Sequence, residues 1–151
     1  MRKLLFGLVV ATVCTSQLLA DTNLMKIPSR YSVVETMDRL ESAVKASPND
    51  FQIFSRVNCQ ELAATRGDKI RPGQLLIFGR GGLLQPLLPE FPTSAIDLPL
   101  KVLAWEDDTG KIWVAYNTGE LLRERHSIKN RDEFLKRMTE VTASFAKKAT
   151  E

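Results

Sequence analysis

Three side chains in the second half of the chain are able to take part in acid–base chemistry. Asp97 precedes a Leu-Pro pair, Tyr116 ends an apolar run, and His126 ends the segment Leu-Leu-Arg-Glu-Arg-His. A carboxylate, a phenol and an imidazole can each donate or accept a proton at a reacting centre. Two of them also have simpler explanations, because Asp97 suits the cap of a turn and a helix dipole favours His126 at a C-terminal end.

The segment Leu83–Phe91 is a second candidate for function. Its leucines and its phenylalanine are more than a surface loop requires, and exposed apolar surface marks ligand or partner sites. The segment is therefore predicted to act as a lid over a ligand, or as a dimer face, through Leu84, Leu87, Leu88 and Phe91.

Other motifs that often indicate chemistry are incomplete here. The run Gly79–Gly82 lacks the spacing and the Lys-Ser/Thr of a phosphate-binding loop, so it predicts a tight turn. Cys59 opens a predicted short helix, but it has no cysteine partner, and a small, partly buried side chain explains it better. Beyond residue 20 the chain has one cysteine and one histidine, too few for a dedicated zinc site. We predict no metal, no cofactor and no assigned catalytic residue.

The first twenty residues predict a secretory signal peptide. Met1–Lys3 is basic, Leu4–Val13 is apolar, and the run Ser-Gln-Leu-Leu-Ala precedes Asp21. The apolar run is shorter than the ~20 residues that span a bilayer. Cleavage after Ala20 is expected, which predicts a periplasmic or secreted protein with no stable membrane insertion. Lipoprotein processing at Cys14 and an uncleaved anchor are the alternatives.

Residues 21–151 have the length of a single domain, which is long enough to bury a hydrophobic core. The 21 Lys and Arg residues only slightly exceed the 18 Asp and Glu residues, and two of the basic residues lie in the predicted signal. Without a basic block, the chain lacks the electrostatic footprint of a nucleic-acid-binding protein. Since one cysteine follows the predicted cleavage, no intramolecular disulfide can form and the core alone must stabilise the domain.

In the first half of this domain, hydrophobic periodicity predicts alternating helices and strands. Ser32 begins a capping box before an amphipathic helix that ends near residue 46. Asn58 begins a second capping box before a short helix. Strands are predicted at 26–27, as an edge, at 51–57, and at 75–78, where an unbroken apolar run is typical of a strand covered on both faces.

The second half predicts a hairpin. Leu100–Glu106 and Lys111–Tyr116 are strands joined by Asp-Asp-Thr-Gly, a four-residue hairpin signal. Trp105 and Trp113 fall at matching offsets and are predicted to face each other across the two strands.

Two helices complete the prediction. A short helix is expected around residues 121–125, and a third capping box, Asn130 with Glu133, precedes a closing helix at about 131–147. The order of elements and the antiparallel hairpin predict an α+β fold, a single domain with an antiparallel or mixed sheet and helices packed on one side.

Several motifs in this order are similar to those of the DUF302 family over about residues 29–128. They are Ser32-Val33, Arg39-Leu40, Arg71–Gly79, Pro92-Thr93, Asp97–Leu103, Tyr116-Asn117 and Glu124–His126. The resemblance implies a small α+β sandwich of TATA-binding-protein-like fold, self-association as a homodimer, and no assigned activity. Where many members carry Asp-His, this chain has Asn58-Cys59, so any role of that histidine is absent. The tail after Ile128 is expected to lie outside the family region.

Two functions of different classes fit these residues. The favoured one is an exported, non-enzymatic module that binds a small apolar or amphipathic ligand, or a periplasmic partner protein, between its sheet and its helices. The alternative is a periplasmic enzyme that uses Asp97, Tyr116 and His126 for acid–base chemistry. Convergence of those three side chains in a concave site would favour the enzyme. The candidate binding residues are Asp97, Tyr116, His126, Leu84, Leu87, Leu88 and Phe91.

Overall fold

The computed structural model describes residues 24–83 and 86–151. The predicted signal peptide and Leu84 therefore lie outside the described residues. Five strands and four helices form in the described parts, with short 3-10 turns at Gly81–Leu83 and Pro92–Ile96. In chain order they are β1 (Leu24–Ser29), α1 (Val33–Lys45), β2 (Gln52–Asn58), α2 (Cys59–Ala64), β3 (Gly73–Gly79), β4 (Leu100–Glu106), β5 (Ile112–Asn117), α3 (Gly119–His126) and α4 (Asp132–Thr150).

The strands form one sheet in the order β1-β5-β4-β3-β2, and its pairings are antiparallel. The predicted α+β class is confirmed. β1 is an edge strand, as expected, and it includes Pro28, which an edge tolerates because one side of the strand needs no amide donor.

The core lies between one face of this sheet and the helices α1 and α4. Leu76, Val102 and Tyr116 are opposite one another on β3, β4 and β5, so their side chains share that face, and each is buried. Met37 of α1 and Met138 of α4 belong to the same buried cluster. The two helices therefore form a layer over the sheet, as predicted.

The other face of the sheet is only half-covered. Leu76 and Phe78 of β3 are fully buried, whereas Leu75 and Ile77 are half-buried on the side that neither α1 nor α4 covers. The prediction that this strand is covered on both faces was wrong. Its unbroken apolar sequence reflects a half-buried outer face rather than a second helical layer.

The hairpin has the predicted form. Trp105 lies directly opposite Trp113 in the register. Asp107 organises the turn, because its carboxylate accepts hydrogen bonds from the hydroxyl of Thr109 (2.7 Å) and the indole N–H of Trp113 (2.7 Å). These bonds hold the pKa of Asp107 well below its usual range. The carboxylate of Asp107 is thus part of the turn's structure.

Two of the three predicted capping boxes place the N-cap correctly. The side chain of Ser32 accepts from the backbone N–H of Glu35, and that of Asn58 accepts from two backbone N–H groups of α2. The third was wrong: Asn130 has a φ of 58°, and Arg131 is the N-cap of α4 without a side-chain capping bond. Asn130 instead occupies the left-handed region, which asparagine tolerates better than most residues.

Candidate functional site

Asp97 and His126 are in direct contact although they lie 29 positions apart in the sequence. Asp97 follows the 3-10 turn Pro92–Ile96, and His126 is the last residue of α3. The imidazole Nε2 lies 2.6 Å from the Asp97 carboxylate, and Nδ1 lies 3.0 Å from the Thr93 hydroxyl. Both ring nitrogens therefore have partners, and the imidazole joins the end of the turn to the end of the helix.

The protonation of this imidazole follows from its partners. An ionised carboxylate can only accept hydrogen bonds, so Nε2 must carry a proton towards Asp97. In a neutral ring Nδ1 is then an acceptor, and the Thr93 hydroxyl donates to it. The order Thr93–His126–Asp97 is a hydroxyl, a base and an orienting carboxylate in sequence, an arrangement that can activate a nucleophile.

Burial limits what the pair can do. The side chains of His126 and Asp97 are 4% and 8% exposed. Arg125, which is half-exposed, donates to the second carboxylate oxygen at 3.0 Å. The Lys101 ammonium donates to the backbone carbonyls of Asp97 (3.1 Å) and Pro99 (3.0 Å). Burial lowers the pKa of Lys101, while the charge of Asp97 opposes that shift. Thr93 and Arg125 are the exposed members of this network.

Tyr116 lies apart from that network. Its side chain is buried on the helix-covered face of β5 and lines a different cleft, beside Pro28 of β1 and Lys147 of α4. Among the described residues, no hydrogen bond joins it to Asp97 or His126. Burial raises the pKa of the Tyr116 phenol, so it stays protonated at neutral pH. The structure thus brings two of the three predicted acid–base residues together.

One leucine of the predicted lid or dimer face is packed into the protein's own core. Leu87 is fully buried and belongs to the core cluster, and Phe91 packs against that cluster half-buried. Leu88 is half-buried, and Leu84 lies outside the described residues. Intramolecular packing accounts for much of the apolar character of this segment, and it leaves Leu87 unavailable to a ligand or a second chain.

The link between β3 and β4, residues 80–99, is called the insert below. Arg131 at the start of α4 holds it in place, because its guanidinium donates to the Pro86 carbonyl (3.1 Å) and to the Glu90 carboxylate (2.8 Å). The bonds of His126 hold its C-terminal end. The insert is thus attached to α3 and α4 at two points.

A cleft of about 630 Å³ opens where the insert approaches α4. Its apolar wall consists of side chains from the residue before β2, from β4 and from the N-terminal half of α4, and the insert contributes further lining residues. The wall residues are Phe51, Leu100, Phe134, Met138 and Val141, and the insert contributes Arg80, Gly82 and Pro86.

Charged groups stand at the mouth of this cleft. Arg80 is exposed, and its guanidinium carbon lies 5.9 Å from the centroid of the Phe51 ring. Arg137 and Glu133, one helical turn apart on α4, are 70% and 79% exposed and 3.7 Å from each other. The cleft therefore combines an apolar interior with a polar rim, whereas the side chains of Asp97 and His126 are almost completely buried.

Sequence reasoning did not predict the cleft residues as a site. Phe134, Met138 and Val141 have the spacing of the apolar stripe of an amphipathic helix, and a stripe of that kind predicts core packing. In the structure Met138 is buried, whereas Phe134 and Val141 are half-buried and face the cleft.

A five-stranded antiparallel sheet, a helical layer on one face and a cleft at the edge of that layer define a small α+β sandwich domain. The chain belongs to the DUF302 family: the family described as "Domain of unknown function DUF302" matches residues 25–145. The match includes most of α4, so the expectation that the tail after Ile128 lies outside the family region was wrong. None of the helices in the described ranges is long and apolar enough to cross a membrane.

Known proteins are similar to this chain in sequence and in fold. "Fluoride-specific ion channel FluC 1" of Brucella suis is 37% identical over 108 residues, which are 72% of this chain and 42% of that protein. "Fluoride-specific ion channel FluC 2" of Brucella melitensis is 37% identical over 108 residues, 72% of this chain and 39% of that protein. The chain thus spans about two-fifths of the length of these curated relatives.

In fold, the chain resembles the crystal structure of an uncharacterized conserved protein, DUF302, from Bacillus stearothermophilus. The two superpose with a TM-score of 0.66 at 16% sequence identity, over 85% of this chain and 96% of the other. At that identity the likeness concerns the fold alone.

Proposed function

We propose that this protein is a non-enzymatic binding module whose cleft between the insert and α4 takes a small molecule with an apolar body. The composition of the cleft is the observation that supports this most. Its wall is aromatic and aliphatic, and its charged groups stand at the rim. Small-molecule sites have this composition and commonly enclose roughly 300–1,000 Å³, a range that includes the volume of this cleft, about 630 Å³.

Gly82 allows a direct test of this cleft. It lines the cleft, and a side chain added there would meet no other atom within 4 Å at its Cβ. The variant Gly82→Trp should therefore obstruct the cleft without removing a core contact. Gly81→Trp is the matched control, since Gly81 has the same free space but does not line the cleft.

Binding of Nile red, a neutral apolar dye, is the measurement. We expect saturable fluorescence enhancement with the unaltered protein and with Gly81→Trp, and at least tenfold weaker binding with Gly82→Trp. A second variant, Val141→Gln, places an amide in the apolar wall and should weaken binding, whereas the exposed Val34→Gln on α1 should not. No dye binding, or equal binding by all variants, would refute the proposal.

An enzyme is a second candidate, favoured by the Thr93–His126–Asp97 order. We propose it in the narrower form that Thr93 is the exposed hydroxyl and His126 its base, with Asp97 orienting the ring; Tyr116 has no place in this version. Hydrolysis of a panel of nitrophenyl esters tests it. Activity that Thr93→Val and His126→Gln both abolish supports it, and its absence from a folded protein counts against it.

Partner binding rests on the Brucella relatives. In those proteins, named as fluoride-specific ion channels, the region similar to this chain belongs to a longer polypeptide. Domains joined in one chain often contact each other, so we propose that this chain contacts a membrane channel protein. Co-expression with the part of the Brucella suis protein outside the shared 108 residues, followed by affinity purification, tests the contact. Recovery of this chain alone would contradict it.

Export and self-association are proposals of a different origin. They rest on the sequence of residues 1–20 and on the family resemblance. N-terminal sequencing of protein from the periplasmic fraction should begin at Asp21, and sedimentation velocity should give the mass of a homodimer. An N-terminus at Met1, or the mass of a monomer at micromolar concentration, would contradict the respective proposal.

A further inference from the structure

Resting on the binding function proposed above, we propose that the cleft takes a single-chain amphiphile with an anionic head group. The head group, a carboxylate or a phosphate monoester, lies between Arg80 and Arg137 at the mouth. The alkyl chain lies along Phe51, Phe134 and Val141. Both parts of this assignment follow from the charges and the apolar surface at the cleft.

Arg80 is the main reason to assign a negative charge to the head group. Six of the other arginines in the described ranges donate to carboxylates or to backbone carbonyls of the protein: Arg39, Arg56, Arg71, Arg123, Arg125 and Arg131. Two more, Arg30 and Arg66, have no such bond with a described residue, but they do not line the cleft. Arg80 makes no hydrogen bond or ion pair with any described residue. Its guanidinium lies near the face of Phe51, so its planar fork of donors stays available at the boundary between apolar wall and solvent.

Arg137 provides a second positive charge among the residues that line the cleft. Its partner within the protein is Glu133, at 3.7 Å, and both side chains are largely exposed. A long contact between exposed side chains holds the guanidinium weakly, so a ligand anion can compete for it. Two guanidinium groups and one carboxylate give the mouth a net positive charge, and guanidinium groups bind carboxylates and phosphates through paired hydrogen bonds.

The wall explains why the anion should carry an alkyl chain. Beside the charged groups the cleft presents half-buried aromatic and aliphatic surface, which a small polar anion would leave in contact with water. Each methylene that transfers from water to apolar surface strengthens binding by about fourfold. Affinity should therefore rise with chain length among alkyl carboxylates, while acetate and inorganic phosphate alone bind weakly.

Displacement of Nile red by four ligands tests the proposal: decanoate, decyl phosphate, decanol and decyltrimethylammonium, all below their micelle concentrations. We expect decanoate or decyl phosphate to bind at least tenfold tighter than decanol, and the cation to bind weakest. The difference from decanol should shrink at high salt, because the charges at the mouth are exposed to solvent. Whichever anion binds tighter identifies the head group.

The variants separate this proposal from the binding function on which it rests. Arg80→Gln should reduce the affinity for decanoate to that for decanol and leave the affinity for decanol unchanged. Arg66→Gln is the control and should change neither affinity, because Arg66 is an exposed arginine of the α2–β3 link that does not line the cleft. Equal affinity for decanoate and decanol in the unaltered protein would overturn the head-group assignment and leave the binding function standing. If no ligand displaces the dye, both are wrong.

Discussion

Gly119 should reverse the usual effect of a glycine-to-alanine substitution in a helix. Gly119 is the first residue of α3, and its N–H donates to the Thr139 hydroxyl of α4 at 2.7 Å. A Cβ at this position would overlap the backbone carbonyl oxygen of Leu135 and lie 2.8 Å from the Leu135 Cβ. Because backbone atoms cannot rotate away as the tip of a side chain can, Gly119→Ala must push α3 and α4 apart.

The expected cost is about 1–3 kcal/mol, the usual effect of overpacking in a well-packed interior. Helix propensity alone would favour alanine by up to ~1 kcal/mol. The sign of the change in the free energy of unfolding therefore tests whether α3 and α4 approach each other closely at Gly119. The measurement is urea unfolding, in which a loss of about 2 kcal/mol lowers the midpoint by roughly 1 M for a domain of this size.

Gly81→Ala is the control for Gly119→Ala, because no atom lies within 4 Å of a Cβ added at Gly81. Its free energy of unfolding should stay within about 0.5 kcal/mol of the original value, as for most surface substitutions. If Gly119→Ala unfolds at the same urea concentration as the unaltered protein, or at a higher one, the reasoning about the helix contact is refuted.

Three further predictions concern the pair, the caps and the buried phenol. Asp97→Ala and His126→Ala should each lower the free energy of unfolding by about 2 kcal/mol, because charge-assisted hydrogen bonds are lost. In chemical denaturation the double variant should lose less than the sum of the two single losses, because both variants break the same bond. Additive losses would contradict this coupling. Asn58→Ala should lower the free energy of unfolding by about 1 kcal/mol, because it removes a helix cap. Asn130→Gly should leave it unchanged, since Asn130 caps no helix and glycine suits its left-handed backbone. Equal losses of stability in thermal melts would contradict these two roles. Burial raises the pKa of the Tyr116 phenol above its usual value. At alkaline pH the unfolded chain therefore releases a proton that the folded protein keeps, so the free energy of unfolding should decline as pH rises. In urea titrations across the alkaline range, Tyr116→Phe should make the free energy of unfolding less dependent on pH. An unchanged dependence on pH would refute the role of the buried phenol.

Local signals made much of the fold predictable. The cap at Ser32, the hairpin turn at Asp107–Gly110 and the facing of Trp105 and Trp113 each depend on residues close in sequence or on a strand register that a short turn sets. These elements formed as predicted. The failure at Asn130 has the same origin, because a capping pattern does not reveal that the preceding link must turn through a left-handed residue.

The candidate site was far less predictable. Asp97 and His126 were selected separately, for their chemistry, and nothing in the sequence showed that they bond to each other or that both are buried. The leucine-rich segment was interpreted as an exposed surface, because a sequence shows that a residue is apolar but not what covers it. Leu87 is covered by the protein's own core, so this leucine is not part of an exposed surface.

By itself, the sequence determined the family, the α+β class, the order of most elements and the absence of a basic block, since these depend on motifs, periodicity and composition along the chain. Only the tertiary structure decided which residues share a site. The insert and α4 are distant in sequence, and the cleft forms because Arg131 and His126 hold the insert against the helices. Arg80 and Arg137 come to one mouth through that packing, because long-range contacts, unlike helix and strand periods, leave no local pattern in the chain.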